Sequence, residues 1–470
     1  MPRNEGINLK KIAWALTSLV FLLAACSNSD NDAKPFTELS PAKQPTDSLP
    51  GGQLIETKSS DGPVKLTFAT YFLSDKMKSA VKKYEELHPN VEIEQQATPS
   101  YGKDLKEAQN LRDKYVTVSN TAILAGKGPD LIELDILPME TYANRDLLVD
   151  LNEMIKESSS FRPQDYFANV LDNAKNGGSL YGMPLYFSLE GFIGDAAAIS
   201  KAGVPINDSN WTWNDFVEVA RQLQQEGEHQ HALISEPSFM LTEMATENFS
   251  HLVKENNGKQ TFDSDLFASL MNQVKGMFDD GLLFDMLKDG GGRGSTATSN
   301  TKAYFNEFPI DSFEIYLSDG FAEHTKLYTK PHPQDIGAGG YFNTFGTVGI
   351  NANSPHKQEA WEFIQYLISD EAQSSAAAST DTRGFPINKI AYDSLVDKLK
   401  QAGTIQGIAV DNEKLDLLKD HLTKAVHWVR TPSKIDETIM KEAQAFFSGQ
   451  KPATEVAKLV QSKVNLILNE

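Results

Sequence analysis

Short patterns that could carry catalysis occur in the sequence, but none is complete. Residues 79–82 (Ser-Ala-Val-Lys) have the Ser-x-x-Lys spacing, in which a lysine can activate a serine nucleophile. The companion Ser-Asp-Asn occurs only at residues 29–31, ahead of the first motif, and no Lys-Thr-Gly follows. Neither Gly-x-Ser-x-Gly nor His-Glu-x-x-His is present. We therefore interpret the Ser-x-x-Lys match as a coincidence.

Candidate sites for metals, phosphates and glycoside hydrolysis are equally weak. His229 and His231 flank Gln230 in a polar stretch, where a two-histidine metal site is conceivable but solvated loop residues are the simpler interpretation. The glycine-rich residues 290–294 lack the Gly-Lys-Ser/Thr ending of a phosphate-binding loop. Paired carboxylates could serve a glycosidase, but with 64 acidic residues in the chain, spacing alone singles out no pair. The sequence predicts neither an enzyme nor a cofactor.

The N-terminus is organised like an export signal. Three basic residues precede an apolar run at residues 12–25, which is shorter than the about 20 residues that a membrane-spanning helix needs. The run ends in Leu-Ala-Ala-Cys, which resembles the lipobox of bacterial lipoproteins. We expect residues 1–25 to be removed and Cys26 to be lipidated, which would anchor the protein to the extracytoplasmic face of the cell membrane. The alternative is an ordinary signal peptide with an incidental cysteine.

Charge and cysteine content narrow the range of partners. The formal net charge of −20 would repel nucleic acid and anionic lipid, so we expect neither as a partner. Cys26 is the only cysteine, and its lipidation would leave no thiol for a disulfide, a thiolate metal site or cysteine catalysis.

The pattern of apolar residues predicts an α/β fold. Alternation over residues 64–68 predicts a strand, helical spacing over residues 77–87 predicts a helix, and residues 91–94 form a second strand pattern. A strand, a helix and a strand in this order make a βαβ unit. A second helix is predicted over residues 104–124, followed by a buried strand at residues 131–135.

Short motifs along nearly the whole mature chain carry a resemblance to a known family. They are TFATYF at 67–72, AGKGPDLIEL at 125–134, RDLLVDLNEMI at 145–155, SLYGMPL at 179–185, NWTWNDF at 210–216, VGINANS at 348–354, AWEFIQYL at 360–367 and GFPIN at 384–388. In this order they are similar to family 1 extracellular solute-binding proteins, the sugar receptors of ABC importers. One departure lies at residues 192–195 (Phe-Ile-Gly-Asp), where family members often have Tyr-Asn-Lys.

The resemblance implies a two-lobed α/β fold of the periplasmic-binding-protein type (type II), with the ligand cleft between lobes that crossing segments join. Hinge closure around the ligand is the switching mode expected of such a fold, and free movement of both lobes favours a monomer. The expected crossings lie near residues 187–192, 341–350 and 391–406. The expected division is a signal peptide (1–25), lipidated Cys26 with a flexible tether (26–62), lobe 1 (63–190 and 346–395) and lobe 2 (191–345 and 396–470).

A sugar cleft needs aromatic side chains for the apolar ring faces and planar polar groups for the hydroxyl groups. Open α/β sheets bind ligands at strand ends, so we expect the ligand-binding residues at strand ends and on the crossings. The resulting candidate ligand-binding residues are Tyr71, Phe72, Asp135, Tyr186, Phe187, Glu190, Tyr341, Phe342, Asn343 and Trp428. Each aromatic residue among them has the alternative role of a core residue. Trp213, beside a predicted capping box of Thr212 and Asp215, is expected to be structural.

The resemblance implies a lipid-anchored receptor that captures a sugar or oligosaccharide and delivers it to the membrane subunits of an ABC importer. Alternatives on the same fold are receptors for a polyamine, a phosphate ester or an iron complex. An acidic cleft would favour polyamines, and clustered Arg and Lys would favour phosphates. A surface glycoside-active enzyme, or a sensor that presents the closed receptor to a membrane kinase, would be different classes of protein.

Overall fold

The computed structural model describes residues 34–35, 63–98, 102–256, 258–292, 295–318, 324–334, 336–374, 383–430 and 433–469. The predicted signal peptide, Cys26 and the tether apart from Lys34–Pro35 lie outside the described residues. So does the Ser-Asp-Asn motif at residues 29–31.

The described strands, in chain order, are β1 (Lys34–Pro35), β2 (Val64–Phe72), β3 (Val91–Thr98), β4 (Leu131–Glu133), β5 (Tyr186–Asp195), β6 (Leu233–Ser235), β7 (Val253–Asn256), β8 (Lys259–Phe262), β9 (Leu283–Asp285), β10 (Phe305–Ile310), β11 (Thr325–Thr329), β12 (Gly340–Phe345), β13 (Val348–Ile350), β14 (Phe385–Pro386), β15 (Thr404–Ile405), β16 (Ile408–Ala409) and β17 (Ala425–Trp428).

The described α-helices are α1 (Asp75–Leu87), α2 (Leu105–Leu124), α3 (Met139–Ala143), α4 (Leu151–Glu157), α5 (Ala168–Asn173), α6 (Ala196–Ala202), α7 (Trp213–Glu226), α8 (Pro237–Glu247), α9 (Phe249–Leu252), α10 (Ser264–Asp279), α11 (Thr296–Asn300), α12 (Phe313–Leu317), α13 (Lys357–Leu367), α14 (Asp370–Ser374), α15 (Lys389–Ala402), α16 (Asn412–Lys424), α17 (Ser433–Phe447) and α18 (Ala453–Asn469), with a 3-10 helix at Pro163–Asp165. None of the helices in the described ranges is both long and apolar enough to cross a membrane.

The first sheet has the strand order β1-β3-β2-β4-β13, in which β1 to β4 run parallel and β13 is antiparallel to β4. The predicted alternation in β2 is confirmed, because Leu66 and Phe68 are buried and Lys65 is exposed. The predicted helix is α1, and its N-cap is Ser74, whose side chain accepts a hydrogen bond from the Met77 amide. The second predicted helix is α2, capped by Asp104. The βαβ prediction is therefore confirmed.

The second sheet is built around β5, in the order β10-β5-β12-β17, with β11 and β14 also paired to β5. β5 is antiparallel to all four of its partners, and β17 is parallel to β12. β12 pairs with the first half of β5 and β11 pairs with the second half. On one side of β5 the neighbouring strand therefore changes from β12 to β11 between Glu190 and Gly191, while β10 pairs with residues 189–194 on the other side.

Three apolar cores hold these layers together. The largest covers one face of the first sheet and continues onto one face of β5 and β12, with α13, α15 and α16 packed against it. A second core joins the other face of the second sheet to α7, α8, α10, α17 and α18. A small third core packs α2 and α3 against the remaining face of the first sheet.

The chain passes between the two sheets at short links. Met183 is bridged to Val348 of the first sheet, whereas Tyr186 already pairs with β12 of the second, so the first link precedes the predicted segment 187–192. The second link is the turn between β12 and β13, inside the predicted 341–350. The predicted third crossing at 391–406 is wrong as a linker, because α15 and β15 occupy it and a buried helical face (Ala391, Tyr392, Leu395 and Val396) packs it into the core.

Candidate functional site

The parallel strands of the first sheet place polar and aromatic groups at their carboxyl ends, which we call the strand-end wall (Tyr71, Phe72, Glu133 and Asp135). The Tyr71 ring packs edge-on against the Tyr115 ring at 5.6 Å, and its hydroxyl donates to the carbonyl oxygen of Ala108 at 3.4 Å. Phe72 is half-buried where β2 meets Thr98 of β3. The Tyr71 side chain is therefore held by α2, which packs against the first sheet.

Asp135 holds the link between the two sheets. Its carboxylate accepts hydrogen bonds from the backbone amides of Gly346 and Thr347, at 2.7 and 2.9 Å. Gly346 has φ of 63°, a conformation that a residue with a Cβ rarely adopts, so this turn has a specific shape that the carboxylate stabilises. The predicted ligand residue Asp135 thus has two backbone partners in the structure.

Burial and mutual repulsion act on the carboxyl groups of this wall. Removal from water raises the pKa of Asp135, while the two amide hydrogen bonds oppose that shift. Burial, with the Asp135 charge as the second cause, raises the pKa of Glu133 to about 8. The protonated form of Glu133 is therefore favoured relative to a carboxyl group in water.

A row of polar and aromatic side chains lies on one face of the second sheet, and we call it the sheet wall (Tyr186, Ser188, Glu190, Tyr341 and Asn343). Successive side chains of a strand alternate between faces, and residues paired across strands share a face. Glu190 is paired with Tyr341 and Ser188 with Asn343, so four of the five members form two neighbouring rows.

Two other candidates lie on the opposite face. Phe187 and Phe342 are completely buried in the largest core, where Phe187 packs against Phe167 with ring centres 5.0 Å apart. Strand alternation explains this position, because each is adjacent in sequence to a residue of the sheet wall. The structure does not bring them together with Glu190.

The two walls adjoin one another. The ammonium group of Lys76, in the first turn of α1, lies 3.7 Å from the centre of the Tyr186 ring. Burial lowers the pKa of Lys76 to about 7. On the other side, the guanidinium group of Arg430 lies 5.1 Å from the Trp428 ring and donates to the carbonyl oxygen of Leu137 at 3.1 Å. The predicted residue Trp428 thus sits beside the end of the first sheet.

A cluster of charged side chains lies next to Glu190 on the face of the second sheet that carries the sheet wall, and we call it the charge cluster (Lys330, Glu243, Glu247 and Glu307). The Lys330 ammonium group contacts Glu307, lies 2.8 Å from Glu247 and lies 3.7 Å from Glu243. Lys330 and Glu247 side chains are 5% and 2% exposed, so these charges are almost entirely withdrawn from water. Three carboxyl groups share one ammonium group.

The same cluster is tied to the helix that follows the capping box. The predicted box of Thr212 and Asp215 is confirmed, and Trp213 is buried as expected. The Trp213 indole nitrogen donates to Glu247 at 2.7 Å. Trp213 therefore has a structural role that includes positioning one carboxyl group of the charge cluster.

Several buried polar atoms on or beside the sheet wall have no hydrogen-bond partner within the described residues. They are the hydroxyl oxygens of Ser188 and Tyr341, both ring nitrogens of His332 and the indole nitrogen of Trp428. Tyr341 is 2% exposed and His332 is 1% exposed. An unsatisfied buried polar group costs about 1–3 kcal/mol, so these atoms are candidates for hydrogen bonds to a ligand.

The patterns that suggested catalysis or metal binding are not supported by the geometry. The Ser79 hydroxyl donates to the Asp75 carbonyl oxygen of its own helix at 2.8 Å. His229 lies 3.2 Å from an Asp195 carboxylate oxygen, whereas His231 is bonded to the Gly281 carbonyl oxygen, so the two rings have separate partners. In the described part of the chain, no three His, Cys, Asp or Glu side chains are grouped so that they could hold a metal ion.

Sequence reasoning missed Ser188, His332 and the whole charge cluster. Alternation from Glu190 could have placed Ser188 on the same face. The spacing of Glu243 and Glu247 puts them one turn apart on a helix, but nothing in the sequence brings that helix to Lys330 and Glu307. Those contacts join residues that are far apart in the chain.

The chain belongs to the bacterial extracellular solute-binding protein family, whose profile matches residues 73–374. Solved structures of similar proteins include a family 1 extracellular solute-binding protein from Alicyclobacillus acidocaldarius (19% identity, covering 88% of this chain and 100% of that one, TM-score 0.60). Others are the sugar-binding protein MalE from Xanthomonas citri (17%, 86% and 97%, 0.60) and the substrate-binding protein Lmo0181 from Listeria monocytogenes in complex with cycloalternan (18%, 86% and 98%, 0.57). These matches establish the two-lobed periplasmic-binding-protein-like fold, as the sequence predicted.

Proposed function

We propose that the protein captures a sugar or oligosaccharide between the strand-end wall and the sheet wall, and delivers it to an ABC importer. The observation that carries the proposal is the set of unpartnered buried polar atoms on and beside the sheet wall, close to aromatic side chains. Sugar hydroxyl groups both donate and accept hydrogen bonds, so one sugar ring can satisfy several such atoms at once. Tyr71, Tyr186 and Trp428 supply aromatic surface for the ring faces.

Hinge closure is the proposed mode of capture. Asp135 fixes the link at Gly346, which makes it a hinge element rather than a direct ligand contact. A ligand that touches both walls stabilises the closed arrangement by the free energy of its additional contacts. The importer would then recognise the closed form. Solute-binding receptors bind and release their ligand without changing it chemically, and we propose the same for this chain.

The anchoring is part of the proposal. Lipidation of Cys26 would hold the receptor at the extracytoplasmic face of the membrane, as a monomer that remains free to open and close. The expected lobe boundaries at residues 190, 345 and 395 also remain a prediction, and the first of them falls inside β5.

A thermal-shift screen of the purified full-length protein against mono- and oligosaccharides tests the function. A ligand that binds only the native state at a hundredfold excess over Kd raises stability by about 2.7 kcal/mol. We expect at least one sugar to raise the melting temperature. If polyamines, phosphate esters and metal chelates stabilise the protein while every sugar is silent, the sugar proposal is wrong.

A matched pair of variants ties binding to the sheet wall. Tyr341→Phe and Tyr84→Phe each remove a buried hydroxyl that lacks a partner among the described residues. Tyr84, however, lies on α1 and packs in the largest core against Phe363 of α13. We expect only Tyr341→Phe to weaken sugar binding. Equal effects of the two variants would show that the sheet wall is not the site.

A further inference from the structure

Glu190 and Tyr341 form a pair of polar groups at the centre of the sheet wall. They are directly opposite one another on β5 and β12, so their side chains share one face. The Glu190 side chain is only partly buried, and within the described residues the buried Tyr341 hydroxyl has no hydrogen-bond partner. Both groups can accept a hydrogen bond.

The charges around Glu190 are predominantly negative. The groups that act on its carboxyl are Lys330, Glu307, Asp311 and Glu247, three acids and one base. The one base is already engaged, because Lys330 contacts Glu307 and lies 2.8 Å from Glu247. Burial and the neighbouring acids outweigh Lys330 and raise the pKa of Glu190 to about 7. A positive charge brought next to Glu190 would be attracted, and an anion would be repelled.

We propose that Glu190 and Tyr341 hold a protonated amino group of the ligand, so that the captured solute is an amine-bearing sugar. This inference rests on the proposed function and specifies the substrate class of the same site. An ammonium group has three donors and no acceptor. It therefore matches a carboxylate oxygen and a phenol oxygen, each of which can accept a hydrogen bond. A hydrogen bond to a charged group contributes about 1.5–3 kcal/mol, more than one between neutral groups.

The position of Lys76 makes the two ends of the sheet wall electrostatically different. Lys76 lies over Tyr186, at the start of β5, while Glu190 is four residues further along the strand. At about 3.3 Å per residue, the two positions are about 13 Å apart. An amino group is therefore favoured at the Glu190 end of the sheet wall and disfavoured at the Lys76 end.

Matched sugars test the inference on the full-length protein. Isothermal titration would compare glucosamine oligosaccharides with their N-acetylated counterparts and with cello-oligosaccharides, which share the same backbone linkage, from mono- to tetrasaccharide. Maltodextrins supply a second neutral series, and spermidine supplies an amine without a sugar. We expect the amine-bearing sugars to bind at least about tenfold more tightly than the neutral ones.

Two variants assign this preference to the site. Glu190→Gln removes the charge and retains the shape, and Glu413→Gln makes the same change on the exposed surface of α16. We expect Glu190→Gln to abolish the preference for amines, because amine-bearing sugars should lose more affinity than neutral ones, and Glu413→Gln to leave the preference intact. Melting temperatures confirm that both variants are folded, and Tyr341→Phe should reduce the preference in the same direction.

The outcomes separate this inference from the function on which it rests. Binding of neutral sugars with no preference for amines overturns the amine subsite and leaves the sugar receptor standing. Binding of spermidine alone, sensitive to Glu190→Gln, overturns the sugar receptor and supports the amine subsite. An amine preference that survives Glu190→Gln overturns the assignment to Glu190. If no member of the panel binds, both proposals are wrong.

Discussion

The two walls of the cleft differ in how completely their polar groups are satisfied. At the strand-end wall, Asp135 accepts two backbone hydrogen bonds and the Tyr71 ring packs against Tyr115. At the sheet wall, Ser188 and Tyr341 have buried hydroxyl groups without partners in the described part of the chain. The side chains of the first wall help to fix the fold, whereas two hydroxyl groups of the second wall have no partner among the described residues.

The difference indicates a division of roles between stability and recognition. A group that already has its partners stabilises the native state and gains little from a ligand, while an unsatisfied buried group is a cost that a ligand removes. Substitutions at the strand-end wall should therefore act on stability, and substitutions at the sheet wall should act on binding. The charge cluster lies beside Glu190 on the same face, and substitutions in it should act on stability.

The largest effect on stability is expected when the only base in the charge cluster is replaced. Lys330→Met leaves Glu247 and Glu307 buried without their cation, so we expect the free energy of unfolding to fall by about 3–5 kcal/mol. Urea denaturation measures it. The control is Lys458→Met on the exposed face of α18, which should change stability by less than about 0.5 kcal/mol. Equal stabilities of the two variants would contradict a supporting role for the cluster.

Asp135→Ala tests the strand-end wall. The amides of Gly346 and Thr347 lose a charged acceptor, so we expect a loss of about 2–4 kcal/mol in the free energy of unfolding. Sugar affinity should change less than stability does, because the carboxylate is already used. An unchanged melting temperature with abolished binding would make Asp135 a direct ligand contact and reverse the comparison.

Stability should depend on pH through Glu133. Its pKa of about 8 in the folded protein exceeds the ordinary value of 4.5, so folding favours the protonated form. The associated stability is fully present below about pH 4.5 and is lost as the pH rises through about 8, with a slope of at most about 1.4 kcal/mol per pH unit. Denaturation at several pH values should show a flatter dependence for Glu133→Gln. An identical slope in the two proteins would exclude Glu133 as the cause.

The smallest change in stability is expected at the sheet wall. Tyr341→Phe removes an unsatisfied buried hydroxyl, so the free energy of unfolding should stay the same or rise by about 1 kcal/mol. Ligand affinity should nevertheless fall. Denaturation and titration of one preparation measure both quantities. A destabilised variant with normal affinity would place Tyr341 among the structural residues.

The sequence predicted those features that depend on neighbours along the chain. Alternation in β2, the Ser74 cap of α1 and the capping box at Thr212 are local patterns, and the structure confirms each. The order of family motifs predicted the two-lobed fold. The candidate ligand residues rest on the same local patterns, which do not determine which face of β5 each one occupies.

The remaining features depend on pairings that a single sequence does not reveal. Phe187 and Glu190 were both candidates, yet the register of β5 against β12 puts them on opposite faces. Lys330 meets Glu247 and Glu307 only because a loop, a helix and a strand converge. Asp135 stabilises the turn at Gly346, which is more than 200 residues away in the sequence.

A crystal structure grown with the sugar that gives the largest thermal shift tests the central claim most directly. We expect the sugar to bind between the two walls, with hydrogen bonds to Glu190 and Tyr341 and a ring face against Tyr186 or Trp428. The same structure should show the Asp135 carboxylate still bonded to the amides of Gly346 and Thr347. A sugar bound elsewhere, with Tyr341 and Ser188 still unpartnered, would contradict the claim that the sheet wall recognises the ligand.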